Sequence, residues 1–436
     1  MANRIESEKE SLQDHFRVIE ELGGIEHLEL KNNGLRVLLL QQHAAPVVAF
    51  MVTYHVGSRN ESTGLTGATH FLEHLMFKGT EKFNKEKGTS VFNVLQAVGA
   101  QMNATTWMDR TNYYEMLPKE HLGLAIEIEA DRMRGARLAA DDMESERTVI
   151  LNEFDRGENE PFRKLYHSVW TTAYQAHPYH HPTIGWRSDI EQVTPDGLRH
   201  FYDTYYWPNN ATLSVIGDYE RDAALQLILD HFGPIPSAGH EIPDVMVREP
   251  EQKGQRRITV KKSGELGAML MGYKVPEGLH DDADALDVLG IILGSGKNSR
   301  LFRNLTDKGL TTHVYASGAR FRDPGLFTIY AFLSPEKTHE EVESAIWAIL
   351  EDIKENGVEQ SELERALNLL NAQASFERDG PFSIAAQLNE AIAAGDWKLY
   401  AQFNERVKQV TTSDIQRVAR QYFEEDASTI GWYIPV

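Results

Sequence analysis

The chain has 436 residues, 41% of them hydrophobic, no cysteine and a formal net charge of −21. That length suits two domains of about 200 residues, each able to bury a core. The missing cysteines exclude disulfides and thiolate ligands, the negative balance argues against nucleic-acid binding, which needs a basic surface, and no apolar run reaches the roughly 20 residues of a membrane span.

Residues 1–17 are charged and lack the apolar core of a secretory leader. This points to the cytoplasm, or to the periplasm if a leader has been removed. The first strong element is an apolar strand predicted at 48–56. Thr66-Gly67-Ala68-Thr69 can then start a helix, apolar through Phe77, that carries His70-Phe71-Leu72-Glu73-His74. Positions i and i+4 share a helix face, so His70 and His74 can hold one metal ion. Glu73, three residues after His70, can reach a water beside that ion. The order H-x-x-E-H reverses the H-E-x-x-H zinc motif. The residue types suit zinc chemistry: neutral imidazoles as ligands, an open position for water, and a carboxylate as general base. The same pattern also occurs on solvated helix faces and in satisfied core pairs, so a third ligand must distinguish them.

Candidates for that ligand lie in 141–160, where Met143, Val149, Ile150 and Phe154 are spaced for a half-buried helix. Glu146 and Glu153 are seven apart, two turns along one face. Either can ligate while the other supports it from behind, and spacing does not choose between them. Next, His177, His180 and His181 cluster with Pro178 and Pro182. They read as a loop packed beside the motif domain, with a second metal site as the alternative. Met102, Met108 and Met116 read as packing residues.

The second half of the chain repeats the first. Val193, Thr194, Leu198, Tyr205 and Tyr206 correspond to Val410, Thr411, Ile415, Tyr422 and Phe423, every pair 217 residues apart. Each copy reads as a capped helix leading to a strand, at 210–216 and 427–433. The apolar strand at 48–56 recurs at 268–275, with Tyr54 and Tyr273 offset by 219. That offset carries His70, Glu73 and His74 onto Leu289, Ile292 and Leu293, so the second copy lacks the metal residues. Between the copies, Gly233-Pro234-Ile235-Pro236-Ser237-Ala238-Gly239-His240 opens a linker. The expectation is an α+β fold of two homologous halves from an internal duplication, each a mostly antiparallel sheet with packed helices. Their spans are 1–232 with the metal motif, 233–256 as linker, and 257–436 without it. Gly294 to Arg300 lacks the G-x-x-x-x-G-K-[ST] spacing, so nucleotide binding is rejected.

The chain resembles the zinc peptidase family of pitrilysin, insulin-degrading enzyme and mitochondrial processing peptidase. The resemblance rests on Gly67 to Thr80, on Gln101-Met102-Asn103-Ala104-Thr105-Thr106 with Thr111 to Tyr114, and on Glu146 to Glu153. It implies a zinc endopeptidase acting on peptides or unfolded segments, with one zinc per chain held by His70, His74 and Glu153. It makes Glu73 the general base and gives Glu146 a supporting role. It implies that Asn103 and Ala104 lie on an edge strand that pairs with the substrate backbone, and that Tyr114 points at the metal. One departure stands out. Where many members carry an arginine and a tyrosine in the second half, this chain has Thr306 and, for the tyrosine, Thr312 or His313. Members that divide the work between two subunits look like this. The expected partner is therefore a homologous metal-free subunit supplying that pair, with a homodimer as the alternative. Other readings are a non-catalytic core subunit or a peptide-binding scaffold of the same fold.

Overall fold

The computed structural model describes residues 12–436, so most of the charged stretch 1–17, on which the leader expectation falls, lies outside the described residues. Among the described residues, twelve strands form two sheets. The first contains β1 Phe16–Leu22, β2 Ile25–Leu30, β3 Leu35–Gln41, β4 Val47–Tyr54, β5 Gln101–Thr106, β6 Thr111–Pro118 and β7 Ala211–Gly217, in the order β1-β2-β3-β7-β4-β6-β5. The second contains β8 Arg256–Lys262, β9 Ala268–Val275, β10 Thr311–Gly318, β11 Gly325–Leu333 and β12 Ser428–Pro435, in the order β10-β11-β9-β12-β8.

Without β1 and β2, the two orders coincide strand for strand. Both have one parallel pair, β3 with β7 and β12 with β8, and otherwise antiparallel pairing. The repeated sequence pattern thus has a repeated topology as its counterpart. No strand or helix occupies 233–255, where the proline and glycine run stands.

The helices that position the site and join the halves are α1 Ala68–Met76, α2 Ala140–Glu158, α3 Pro161–Ala173, α4 Pro195–Tyr205, α5 Asp282–Gly294, α6 Pro381–Ala394 and α7 Thr412–Tyr422. The repeated caps form as their sequence implies: Thr194 Oγ1 accepts from Gly197 N, and Thr411 Oγ1 from Asp414 N. Strand alternation sends Val48, Phe50, Val52 and Tyr54 to one face, against Phe71, Leu72 and Leu75 of α1. In the second half Met269, Met271 and Tyr273 meet Leu289, Ile292 and Leu293 of α5, which are fully buried. The positions that carry the metal residues in the first half are therefore core positions in the second.

The far faces of the sheets are covered by exchange. Leu165 and Val169 of α3, from the first half, pack on Ala268 and Leu270 of the second sheet. Ile384, Ala385 and Leu388 of α6, from the second half, pack on Ala49, Met51 and Ile216 of the first. The α2 face follows the predicted spacing at Met143 and Ile150, which are buried, but Val149 is 46% exposed. It lies one residue, about 100° of turn, off the buried stripe.

Candidate metal centre

The start of α1 is fixed before any metal is considered. Gly67 caps it in the left-handed region at φ 83°. A Cβ there would lie 2.4 Å from the Ile184 carbonyl oxygen, so the chain crossing at 184–185 requires glycine. Buried Glu61 then accepts from both Gly67 N (2.7 Å) and Thr69 N (2.8 Å). His181 Nε2 approaches Glu61 Oε2 to 3.0 Å, while His181 Nδ1 lies 2.7 Å from the Pro178 carbonyl oxygen. A carbonyl only accepts, so Nδ1 carries a hydrogen and, in the neutral ring, Nε2 is an acceptor. The Glu61 carboxyl must then supply the proton between them. Burial pushes Glu61 up to about 8 and holds His181 down to about 3, in agreement with that arrangement.

From this anchored start, His70 and His74 project one turn apart with ring centroids 4.9 Å apart. The Glu153 side chain of α2 faces them: its Oε2 is 3.6 Å from His70 Nε2 and 4.0 Å from His74 Nε2. Among the described residues, these three form the one group of three or more potential ligands able to converge, with donor atoms within 4.8 Å of one another. Tetrahedral zinc with bonds of about 2.1 Å spaces its donors by roughly 3.4 Å, so the residues present fit that ion. Burial holds His70 down to about 4, which keeps its lone pair free for a metal.

Glu146 occupies a different place. Its Oε2 lies 2.8 Å from His74 Nδ1, on the far side of that ring from Glu153. Lys78 is ion-paired to its other oxygen. Burial alone would raise the Glu146 carboxyl, but hydrogen bonds from Lys78 and His74 hold it below the usual range. It remains an anion that fixes the His74 tautomer. Glu73 points into the cavity beside the donors, where burial raises its carboxyl despite a 2.5 Å hydrogen bond from the Thr106 hydroxyl.

The expected substrate strand is β5, the terminal strand of its sheet. Ala104 lines the cavity. The Ala104 N–H already donates to Asn103 Oδ1 at 2.9 Å, so the carboxamide must move before a peptide can use that donor. Tyr114 is not brought to the site. It pairs with Asn103 and Met51, and its ring lies 4.6 Å from that of Phe382 in α6. Residues paired across antiparallel strands share a face, so Tyr113, opposite Ala104, faces the α1 side and Tyr114 the other. The expectation that Tyr114 points at the metal is corrected accordingly.

The histidine cluster does not form a second metal site. His177 Nε2 is 3.0 Å from Asp323 Oδ2, across the joint between the halves, and His181 is bound to Glu61. His180 Nδ1 returns to the His177 carbonyl at 2.9 Å. Several contributors carried no strong sequence signal. Thr106 and Glu61 are single polar residues whose partners are distant in sequence. Lys78 could have been found from its spacing, four residues beyond His74.

Known proteins resemble this chain in sequence and in fold. The family model described as insulinase (peptidase family M16) matches residues 36–186, and the model described as the peptidase M16 inactive domain matches 192–370. A zinc protease of Helicobacter pylori named PqqE is 32% identical, over 94% of this chain and 93% of its own length. YmxG of Bacillus subtilis, an uncharacterized zinc protease, is 27% identical over 90% of this chain and 95% of its own. A crystal structure of a Helicobacter pylori protease superposes with a TM-score of 0.90 at 31% identity, covering 95% of this chain and all of the other. The first half of the periplasmic protease PqqL of Escherichia coli shares the fold, with a TM-score of 0.78 at 19% identity, over 96% of this chain and 94% of that one. With both halves matched and the relatives named as zinc proteases, the chain belongs to peptidase family M16, the insulinase family.

Proposed function

We infer that this chain is a zinc endopeptidase acting on peptides or unfolded segments. The observation that carries the reading is the convergence of His70, His74 and Glu153 with a half-buried Glu73 beside them that is not one of the three donors. Zinc bound there would supply a Lewis acid that polarises the scissile carbonyl and makes a nearby water more acidic. Glu73 takes the proton of the attacking water and delivers it to the leaving amine nitrogen. The Thr106 hydroxyl holds the Glu73 carboxylate in place for both transfers. The free edge of β5 orients the extended peptide through its main chain, with Asn103 swinging off the Ala104 N–H. Tyr114 has no role in this scheme.

Substituting Glu73→Gln keeps the size and the three ligands but removes the base. The variant is expected to bind zinc like the parent and to lose at least a hundredfold in kcat on a quenched fluorescent peptide. Retained turnover would rule out Glu73 as the base.

The second half supports a partner. Thr306 ends a short helical turn and its Oγ1 lies 2.9 Å from the Oγ1 of Thr311, the first residue of β10, while Thr312 and His313 follow it in that strand. A hydroxyl pair stands where the family resemblance leads one to expect an arginine. We propose a heterodimer with a homologous metal-free subunit that carries the arginine and tyrosine. Zinc-loaded chain alone is then expected to cleave poorly and to gain activity on adding such a subunit. Full activity alone would contradict the heterodimer and leave the peptidase reading intact.

A further inference from the structure

The cavity beside the metal donors has a volume of about 600 Å³. Its wall away from α1 is aromatic, formed by Phe162, Tyr166 and Trp170 of α3 together with Trp107. Among the described residues lining it, Arg163 is the one lysine or arginine. A permanent cation kept at this position in a chain of net charge −21 calls for an explanation.

The position is built. A Cβ on Gly157 would lie 3.1 Å from Arg163 Cδ, Nε and Nη1, so the guanidinium lies across the bare backbone of α2. Its charge is poorly answered within the chain. Arg163 Nη2 is 3.6 Å from Glu153 Oε1, longer than a hydrogen bond, and the side chain is 39% exposed. Glu160, the other acid nearby, turns its carboxylate back onto its own helix, accepting from Phe162 N (3.0 Å) and Arg163 N (2.6 Å). His167, one turn along α3, is held neutral by burial and by Arg163, at about 4, and adds no second cation.

We propose that Arg163 determines specificity by binding a carboxylate of the peptide beside the bond to be cut, with the aromatic wall covering the rest of that residue. This rests on the peptidase reading above. A guanidinium meets a carboxylate through two parallel hydrogen bonds, a geometry that a lysine cannot reproduce. The carboxylate comes either from an aspartate or glutamate side chain or from the substrate's own C-terminus, and the two sources are separable.

The test uses the zinc-loaded full chain and quenched peptides with Glu, Gln or Lys flanking the cleaved bond, each with a free or an amidated C-terminus. The parent is expected to prefer Glu over Lys at least tenfold in kcat/KM, mostly through KM. Arg163→Gln should abolish the preference, Arg163→Glu should invert it, and Arg163→Lys should keep part of it. A preference that persists in amidated peptides assigns the side chain; one confined to free termini assigns the C-terminus. An active Arg163→Gln with an unchanged Glu-to-Lys ratio overturns the proposal. The same peptides are also titrated by fluorescence anisotropy onto Glu73→Gln, with and without Arg163→Gln, which needs no turnover. There, loss of a Glu preference with the arginine supports the proposal and no difference overturns it. A parent that binds no zinc overturns the peptidase reading instead; one that binds zinc but cuts nothing on its own leaves the decision to the anisotropy titration.

Discussion

At the scale of single residues, the two ends of one imidazole divide the labour between Glu146 and Glu153. Seven residues on a helix span about 10.5 Å, so both carboxylates cannot reach one ion. His74 resolves this by offering Nδ1 to Glu146 and Nε2 to the side facing Glu153. The sequence showed both acids on one face but could not show which end of α2 meets α1, because that depends on packing. Glu146→Gln should therefore keep the site but weaken it. We expect zinc affinity, measured by chelator competition, to fall roughly 10–100-fold. No change would mean that the 2.8 Å contact does not tune the ligand. Tyr114 gives the opposite lesson. Neighbouring residues on a strand face opposite ways, and pairing with Asn103 put Tyr114 across the sheet.

At the scale of elements, α1 depends on a hydrogen bond that a proton makes possible. With Glu61 at about 8 and His181 at about 3, the pair responds to pH in two windows. The raised Glu61 contributes stability present below its unfolded value near 4.5 and lost as pH rises through about 8. The lowered His181 costs stability below its unfolded value near 6.5, because the unfolded ring gains a proton the folded one refuses. Between those unfolded values the two slopes cancel, and above them only the Glu61 loss remains. Glu61→Gln can still donate to His181 through its amide nitrogen and accept from Thr69 N through its oxygen, giving up only the Gly67 N–H bond, but it does not titrate. The thermal midpoint of the parent should fall from pH 6.5 to 8 more steeply than that of Glu61→Gln. Parallel curves would contradict the shared proton. Nothing in the local sequence pairs residue 61 with residue 181; the strand, turn and helix between them do.

At the scale of the molecule, the fold class and its two sheets of like strand order were legible because periodicity and offset survive in the residues themselves. The exchange of α3 and α6 between sheets was not, since an amphipathic helix does not record which sheet it covers. The joint between halves was equally hidden. There Arg59 and His177 of the first half meet Asp323 of the second. Burial alone would raise Asp323, but hydrogen bonds from His177 and Arg59 hold it down to about 2. That stability is present above about 3.8 and lost as pH falls toward 2. Asp323→Asn should lower the thermal midpoint at neutral pH and show a smaller further fall between pH 4 and 2 than the parent. An unchanged midpoint at neutral pH would mean the joint is held elsewhere. The whole account rests on the site between α1 and α2, and the zinc content of the purified chain tests it most directly. Elemental analysis should find about one zinc per chain in the parent and in Glu73→Gln, and almost none in Glu153→Gln. A parent that takes up no zinc, or a Glu153→Gln variant that keeps all of it, would contradict the account.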